Sequence, residues 1–101
     1  MTFREFLEEK TSDIAKSIAR EKHSYQYRKF SNEPYFQHPS RVADIVSKFT
    51  NDDDIVSAAY LHDTLEDTKT SQKELDSVFG KKILSYVKEL TSVKEELVKI
   101  G

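Results

Sequence analysis

Apolar positions along the chain recur at helical intervals almost from the first residue. Phe3, Phe6, Leu7, Ile14 and Ile18 follow Thr2 and Glu5, whose spacing is that of a capping box. These positions predict one long or broken helix from about residue 3 to about residue 25. Arg28 to Pro39 contains Ser31, Asn32, Pro34 and Pro39 and is predicted as a loop. Pro39 suits the first turn of the next helix, where its missing N–H costs nothing. Val42, Ile45, Val46 and Phe49 then mark a second amphipathic helix. Asn51 to Asp54 is a polar link that can cap a third, from about Ile55 to about Asp67, with the small Ala58 and Ala59 at its centre. Ser71 and Glu74 form another capping box before Leu75, Val78 and Phe79, and Gly80 is a natural stop. Ile83, Leu84, Val87 and Leu90 predict a fifth helix. Ser92 with Glu95 opens a sixth segment carrying Val93, Leu97 and Ile100. No stretch sustains the period-two alternation of a strand, so the predicted fold class is all-α.

Composition narrows this further. A chain of 101 residues is one domain, with 37% hydrophobic and 34% charged residues. Two glycines and two prolines leave long stretches unpunctuated, as a helical protein requires. The absence of cysteine removes disulfides, thiolate metal sites and a cysteine nucleophile. A formal net charge of −2 gives no reason to expect nucleic acid or an anionic membrane as partner. The acidic, amphipathic start MTFREFLEEK is unlike a signal peptide, and the nearly apolar run Ile55 to Leu61 is too short to cross a bilayer. A cytoplasmic protein is expected.

The chemistry concentrates in LHDTLEDT. On one continuous helix, His62, Asp63, Glu66 and Asp67 would span an arc of roughly 140°, with Leu61, Leu65 and Ala58 behind them. Packed carboxylates repel one another unless water or a cation compensates, so this face is either solvated or holds a cation. His38 bears on the choice. If the second and third helices pack antiparallel, His38 lies at the end of the third helix that carries His62 and Asp63. Two imidazoles and a carboxylate suit Mn²⁺, Fe²⁺ or Zn²⁺ better than Ca²⁺. Such an ion activates water for hydrolysis, and Glu66 or Asp67 could accept the proton; their plainer role is a solvated helix end.

Several ordered strings resemble one family. His23-Ser24-Tyr25-Gln26-Tyr27-Arg28-Lys29, Glu33-Pro34-Tyr35-Phe36-Gln37-His38-Pro39 with Val42-Ala43, and Ala58 through Thr68 are similar to the RelA/SpoT-type HD hydrolase domain. Phe79-Gly80 and Leu90-Thr91 match in order, and the likeness runs over about residues 15 to 93. The resemblance implies an HD-domain-like bundle of about five to six helices and metal-dependent removal of the 3′-pyrophosphate from guanosine tetra- or pentaphosphate. It implies Mn²⁺ held by His38, His62 and Asp63, with Glu66 and Asp67 activating water and Arg28 and Lys29 holding the nucleotide. His23 matches a structural position. Without the resemblance, Arg28 and Lys29 are two loop cations, and Tyr35 and Phe36 are core or loop-anchoring aromatics.

Two departures shape the expectations. Phe30-Ser31-Asn32 is one residue longer than the family's small pair at that place. The family's last ligand, an aspartate in a KLADRxxN helix, has no counterpart before Gly101. The expected unit is therefore a single HD domain over residues 1–101 that lacks the family's C-terminal helices, with a homodimer covering the exposed surface. The alternatives are a degenerate HD module that binds a nucleotide or protein without turnover, and a purely structural bundle.

Overall fold

The computed structural model describes residues 10–27 and 32–100, with side chains described as far as Ser92. Among the described residues six helices follow one another: α1 (Thr11–Lys22), α2 (Gln37–Ser47), α3 (Asp53–Leu61), α4 (Thr64–Asp67), α5 (Gln72–Phe79) and α6 (Lys81–Ile100). Among the described residues no strand forms, and extended pairing is limited to an isolated bridge between Tyr27 and Pro34. The all-α expectation holds. No described helix is long and apolar enough to cross a membrane.

α3 is the axis of the bundle and packs against α1, α2 and α6. Its residues from Ser57 to Leu61 are all buried, as expected of a helix enclosed on several sides. Ala15 and Ala19 of α1 and Ala58 and Ala59 of α3 have no exposed surface, and small side chains let the helix backbones approach closely. The starts of α1 and α3 are tied directly: the Ser12 N–H donates to the Asp53 carboxylate at 2.9 Å. That places negative charge at the N-terminus of α1, where the helix dipole favours it. Leu61, Leu75, Ile83 and Val87 complete the core, bringing α5 and α6 onto α3.

Three boundaries differ from the pattern-based expectation. The Thr2–Glu5 capping box lies outside the described residues; the described first helix starts after Lys10, whose N–H donates to the Asp13 carboxylate at 3.2 Å. It ends at Lys22 rather than near residue 25, because the chain turns through Tyr25 in the left-handed region (φ 69°). The third helix is not continuous to Asp67 but breaks after Leu61. The expected fifth and sixth helices are one helix, with Ser92 inside it, and no glycine or proline interrupts the ladder between Lys81 and Ile100. The caps at α5 match expectation, with Ser71 Oγ accepting the Glu74 N–H at 3.1 Å and Gly80 (φ 86°) ending the helix.

Two stability outcomes follow. Ala19→Leu should overpack the contact between α1 and its neighbours and cost about 1–3 kcal/mol in urea unfolding. Tyr25→Gly relieves a left-handed tyrosine that is 96% exposed and should raise stability by roughly 1 kcal/mol in the same assay.

Candidate metal centre

His38 is delivered by the way α2 begins. The Tyr35 N–H donates to the Gln26 carbonyl at 2.8 Å, closing the chain back on itself, and the His38 N–H donates to the Tyr35 carbonyl at 3.0 Å. Pro39 falls in the first turn of α2, as expected, and is buried. The Arg41 guanidinium grips both carboxylate oxygens of Glu33, fixing the incoming loop to the helix. Phe36 stacks parallel to Tyr60 of α3 with centroids 6.4 Å apart, and the Arg20 guanidinium lies over the Phe36 ring at 5.1 Å from its centre. These anchors set the start of α2 against the end of α3.

His62 and Asp63 are delivered by the break. The His62 Nδ1–H donates to the Ala59 carbonyl at 2.6 Å, and the Thr64 hydroxyl donates to the Leu61 carbonyl at 2.7 Å. Side chains thus compete for carbonyls that a continuing helix would use, which is how Thr and other short polar residues interrupt helices. The single turn of α4 restarts beyond it, with the Asp67 N–H donating to the Asp63 carbonyl at 2.9 Å. Four polar side chains on one unbroken helix is therefore the wrong picture. The break puts His62 and Asp63 inside and leaves Glu66 and Asp67 exposed.

The expected convergence is present. His62 Nε2 lies 3.2 Å and His38 Nε2 3.4 Å from the same oxygen, Oδ2 of Asp63. The two rings meet edge to face with centroids 5.4 Å apart. Potential ligand atoms of His38, His62 and Asp63 all lie within 4.8 Å of one another. Asp63 is wholly buried and His62 nearly so. Because Nδ1 of His62 donates to a carbonyl, the neutral ring turns a lone pair at Nε2 toward a carboxylate oxygen. Two lone pairs facing each other in a buried site call for a cation between them, either a proton or a metal ion. The donor set fits a borderline divalent metal on the same observation.

Asp63, Glu66 and Asp67 form a second cluster with oxygens within 4.8 Å of one another. The side chains of Gln26, Glu66 and Asp67 open onto a cleft of about 510 Å³ that Lys22 and Lys69 also line. Arg28 and Lys29, the expected nucleotide contacts, lie outside the described residues. Tyr35 holds a larger place than the loop anchor that the sequence suggested. Its hydroxyl lies 2.7 Å from Asp67 Oδ2 and 3.0 Å from Asp63 Oδ2, and its ring stacks on the buried His23 at 4.7 Å. Gln26 was also missed: its amide donates to the Asp67 carbonyl at 2.8 Å. Tyr35 stands three residues before His38, one turn away, and that spacing is the only trace the sequence carries.

Burial, followed by the hydrogen bond to Asp67 and the charge of Asp63, holds the Tyr35 hydroxyl well above the ordinary tyrosine range. The folded chain keeps this proton where the unfolded chain releases it. The linked stability is complete below pH about 10 and is lost as the pH climbs further. In chelator-treated protein, unfolding free energy should fall less steeply above pH about 10 in Tyr35→Phe than in the unaltered chain. Parallel curves for the two would contradict this assignment.

Comparison with known proteins agrees with the geometry. Residues 15–97 match the sequence profile of the HD domain. The chain is 42% identical over 77 residues to a GTP pyrophosphokinase rsh of Brucella ovis, covering 76% of this chain and 10% of that protein. It is 40% identical over 79 residues to a guanosine-3′,5′-bis(diphosphate) 3′-pyrophosphohydrolase of Aquifex aeolicus, covering 78% of this chain and 11% of that protein. A protein of the same name from Borreliella burgdorferi is 36% identical over 94 residues, or 93% of this chain and 14% of that one. The chain thus spans about a tenth of the length of the curated relatives it matches. With its profile matched over most of its length and its paired histidine and aspartate buried at a helix break, the chain belongs to the HD domain family.

Proposed function

We propose that this chain is a metal-dependent phosphohydrolase domain, a single HD unit over residues 1–101, that removes the 3′-pyrophosphate from guanosine tetraphosphate, guanosine pentaphosphate or a related nucleotide. The observation that carries the reading is the convergence of His38, His62 and Asp63 on one buried point beside the exposed pair Glu66 and Asp67. The relatives named as guanosine-3′,5′-bis(diphosphate) 3′-pyrophosphohydrolases supply the substrate class.

His38, His62 and Asp63 would hold the ion; the mixed nitrogen and oxygen donors suit Mn²⁺, Fe²⁺ or Zn²⁺, and the resemblance to the RelA/SpoT-type hydrolases points to Mn²⁺ among them. A divalent cation there supplies Lewis acidity toward water and a phosphoryl oxygen. The chain's own residues do the rest. Glu66 and Asp67 stand within reach of Asp63 and accept the proton of the attacking water. Lys22 and Lys69 place positive charge in the adjoining cleft, where phosphate groups need it, although Lys22 also pairs with Glu74 at 2.7 Å. Arg28 and Lys29 are assigned to the nucleotide, Arg28 by stacking or bidentate contact and Lys29 as a point charge.

A second reading, an HD module that binds a nucleotide or a protein without turnover, is favoured by a donor set that numbers three residues among the described ones. One set of measurements separates the two. His62→Ala should weaken Mn²⁺ binding by about 100-fold or more, because it removes a ligand rather than a ligand's neighbour. Glu66→Gln and Asp67→Asn should retain Mn²⁺ and lower kcat for pyrophosphate release by about 10²–10⁴-fold. Absence of turnover by the Mn²⁺-loaded unaltered chain, with nucleotide still bound, would establish the second reading instead.

A further inference from the structure

We propose that Tyr35 is a positioning residue for Asp67: its single hydroxyl proton holds that exposed carboxylate in register with the buried ligand candidate Asp63. The proposal rests on the phosphohydrolase reading for its catalytic consequence, while its structural content stands by itself.

Asp67 has a positional problem. It is exposed and ends a helix of four residues, after which the chain leaves helical conformation at Thr68. A carboxylate in that place would sample several rotamers. A general base has to lie about 2.6–3.2 Å from the proton it takes, and a misplacement of about 1 Å can cost about 100-fold in rate.

Two arms from the segment between α1 and α2 remove that freedom. One acts on the main chain: Gln26 Nε2 donates to the Asp67 carbonyl at 2.8 Å, and Gln26 Oε1 lies 3.1 Å from Nδ1 of His23. Since the amide nitrogen faces Asp67, Oε1 can only accept, so His23 Nδ1 donates to it. His23 is 1% exposed, which makes it a rigid base for the arm. The other arm acts on the side chain through the Tyr35 hydroxyl, 2.7 Å from Asp67 Oδ2. The Tyr35 ring lies on the same buried His23 at an interplanar angle of 27° and meets His38 edge-on at 6.1 Å. Both arms therefore start from His23 and end on Asp67.

The hydroxyl also stands 3.0 Å from Asp63 Oδ2, and both carboxylate oxygens can only accept. One proton serves one of them well. The shorter contact is to Asp67. Asp63 Oδ2 has the two imidazoles beside it and is the oxygen that a cation would claim. The proton accordingly goes to Asp67, and Tyr35 sets the spacing between the ion's ligand and the water-activating carboxylate. It holds Asp67 without being needed to hold the metal.

The test uses Tyr35→Phe, which keeps the stacked ring and deletes only the hydroxyl. Guanosine tetraphosphate turnover and Mn²⁺ affinity are measured on the full chain. The expected result is a fall in kcat of about 10–100-fold, with KM and Mn²⁺ affinity within about threefold of the unaltered chain. Because Tyr35 acts through Asp67, Tyr35→Phe/Asp67→Asn should be no slower than Asp67→Asn alone. Loss of Mn²⁺ affinity by tenfold or more with kcat unchanged would assign the hydroxyl to Asp63 and overturn the proposal, as would an unchanged kcat with unchanged affinity. Additive losses in the double variant would overturn it too. If Tyr35→Phe folds poorly, Gln26→Met removes the other arm and should give the same kcat loss at constant affinity; unchanged kcat there counts against the device. Should the unaltered chain show no turnover at all, the phosphohydrolase reading fails, and ¹³C-carboxyl spectra decide this point separately. Tyr35→Phe must then shift the Asp67 carboxyl resonance more than that of Asp63, and the reverse order refutes it.

Discussion

A carboxylate with no exposed surface organises this protein. Asp63 sits at the centre of the fold's polar end, and an isolated buried anion costs far more than a domain of this size can sustain without compensation. Three aromatic side chains answer that demand. Two imidazole nitrogens lie within 3.4 Å of one of its oxygens, and a phenol hydroxyl lies 3.0 Å from the same atom. The hydroxyl's nearer partner is Asp67, at 2.7 Å, so its one proton is directed there rather than to this oxygen. The arrangement is electron-rich, and positive charge at its centre completes it. The way the carboxylate is buried thus leaves a donor set into which a cation fits.

The break between α3 and α4 makes that burial compatible with an exposed carboxylate a few residues on. An unbroken helix would have held Asp63 and Asp67 one turn apart on the same face with similar exposure. Instead the His62 ring and the Thr64 hydroxyl occupy the Ala59 and Leu61 carbonyls, the chain turns, and the second pair of acids faces the cleft. The Thr91 hydroxyl reaches the His62 carbonyl at 3.2 Å, so α6 also steadies the break. One local exchange of hydrogen-bond partners separates a buried half, which carries His62 and Asp63, from an exposed half, which carries Glu66 and Asp67.

The rest of the bundle serves as a platform. Alanines at the centre of α1 and α3 let these helices close on each other, and Phe36 against Tyr60 locks α2 to the same axis. A site whose parts come from the loop before α2 and the end of α3 needs its supports fixed to within a fraction of an ångström. His23 contributes to that stiffness from the C-cap of α1. It is the common footing of Tyr35 and Gln26, and through them of Asp67.

The helical class, the helix starts at Ser71 and near Pro39, the stop at Gly80 and the convergence of His38, His62 and Asp63 could all be read from the sequence. Each rests on a local rule, either period, cap and turn chemistry or the meeting of two helix ends. Tertiary contacts decided what those rules leave open. Periodicity predicts that LHDTLEDT continues as a helix, because it says nothing of side chains competing for main-chain carbonyls. It likewise places a boundary at Ser92, where packing against α3 and an unpunctuated ladder carry α6 onward. Tyr35 reads as a loop aromatic until folding sets its hydroxyl between two carboxylates that lie 28 and 32 residues further along the chain. Sequence reports which groups are present and how they are spaced along the chain. Which of two acceptors takes a single proton depends on distances across the fold, and only the packed structure fixes those.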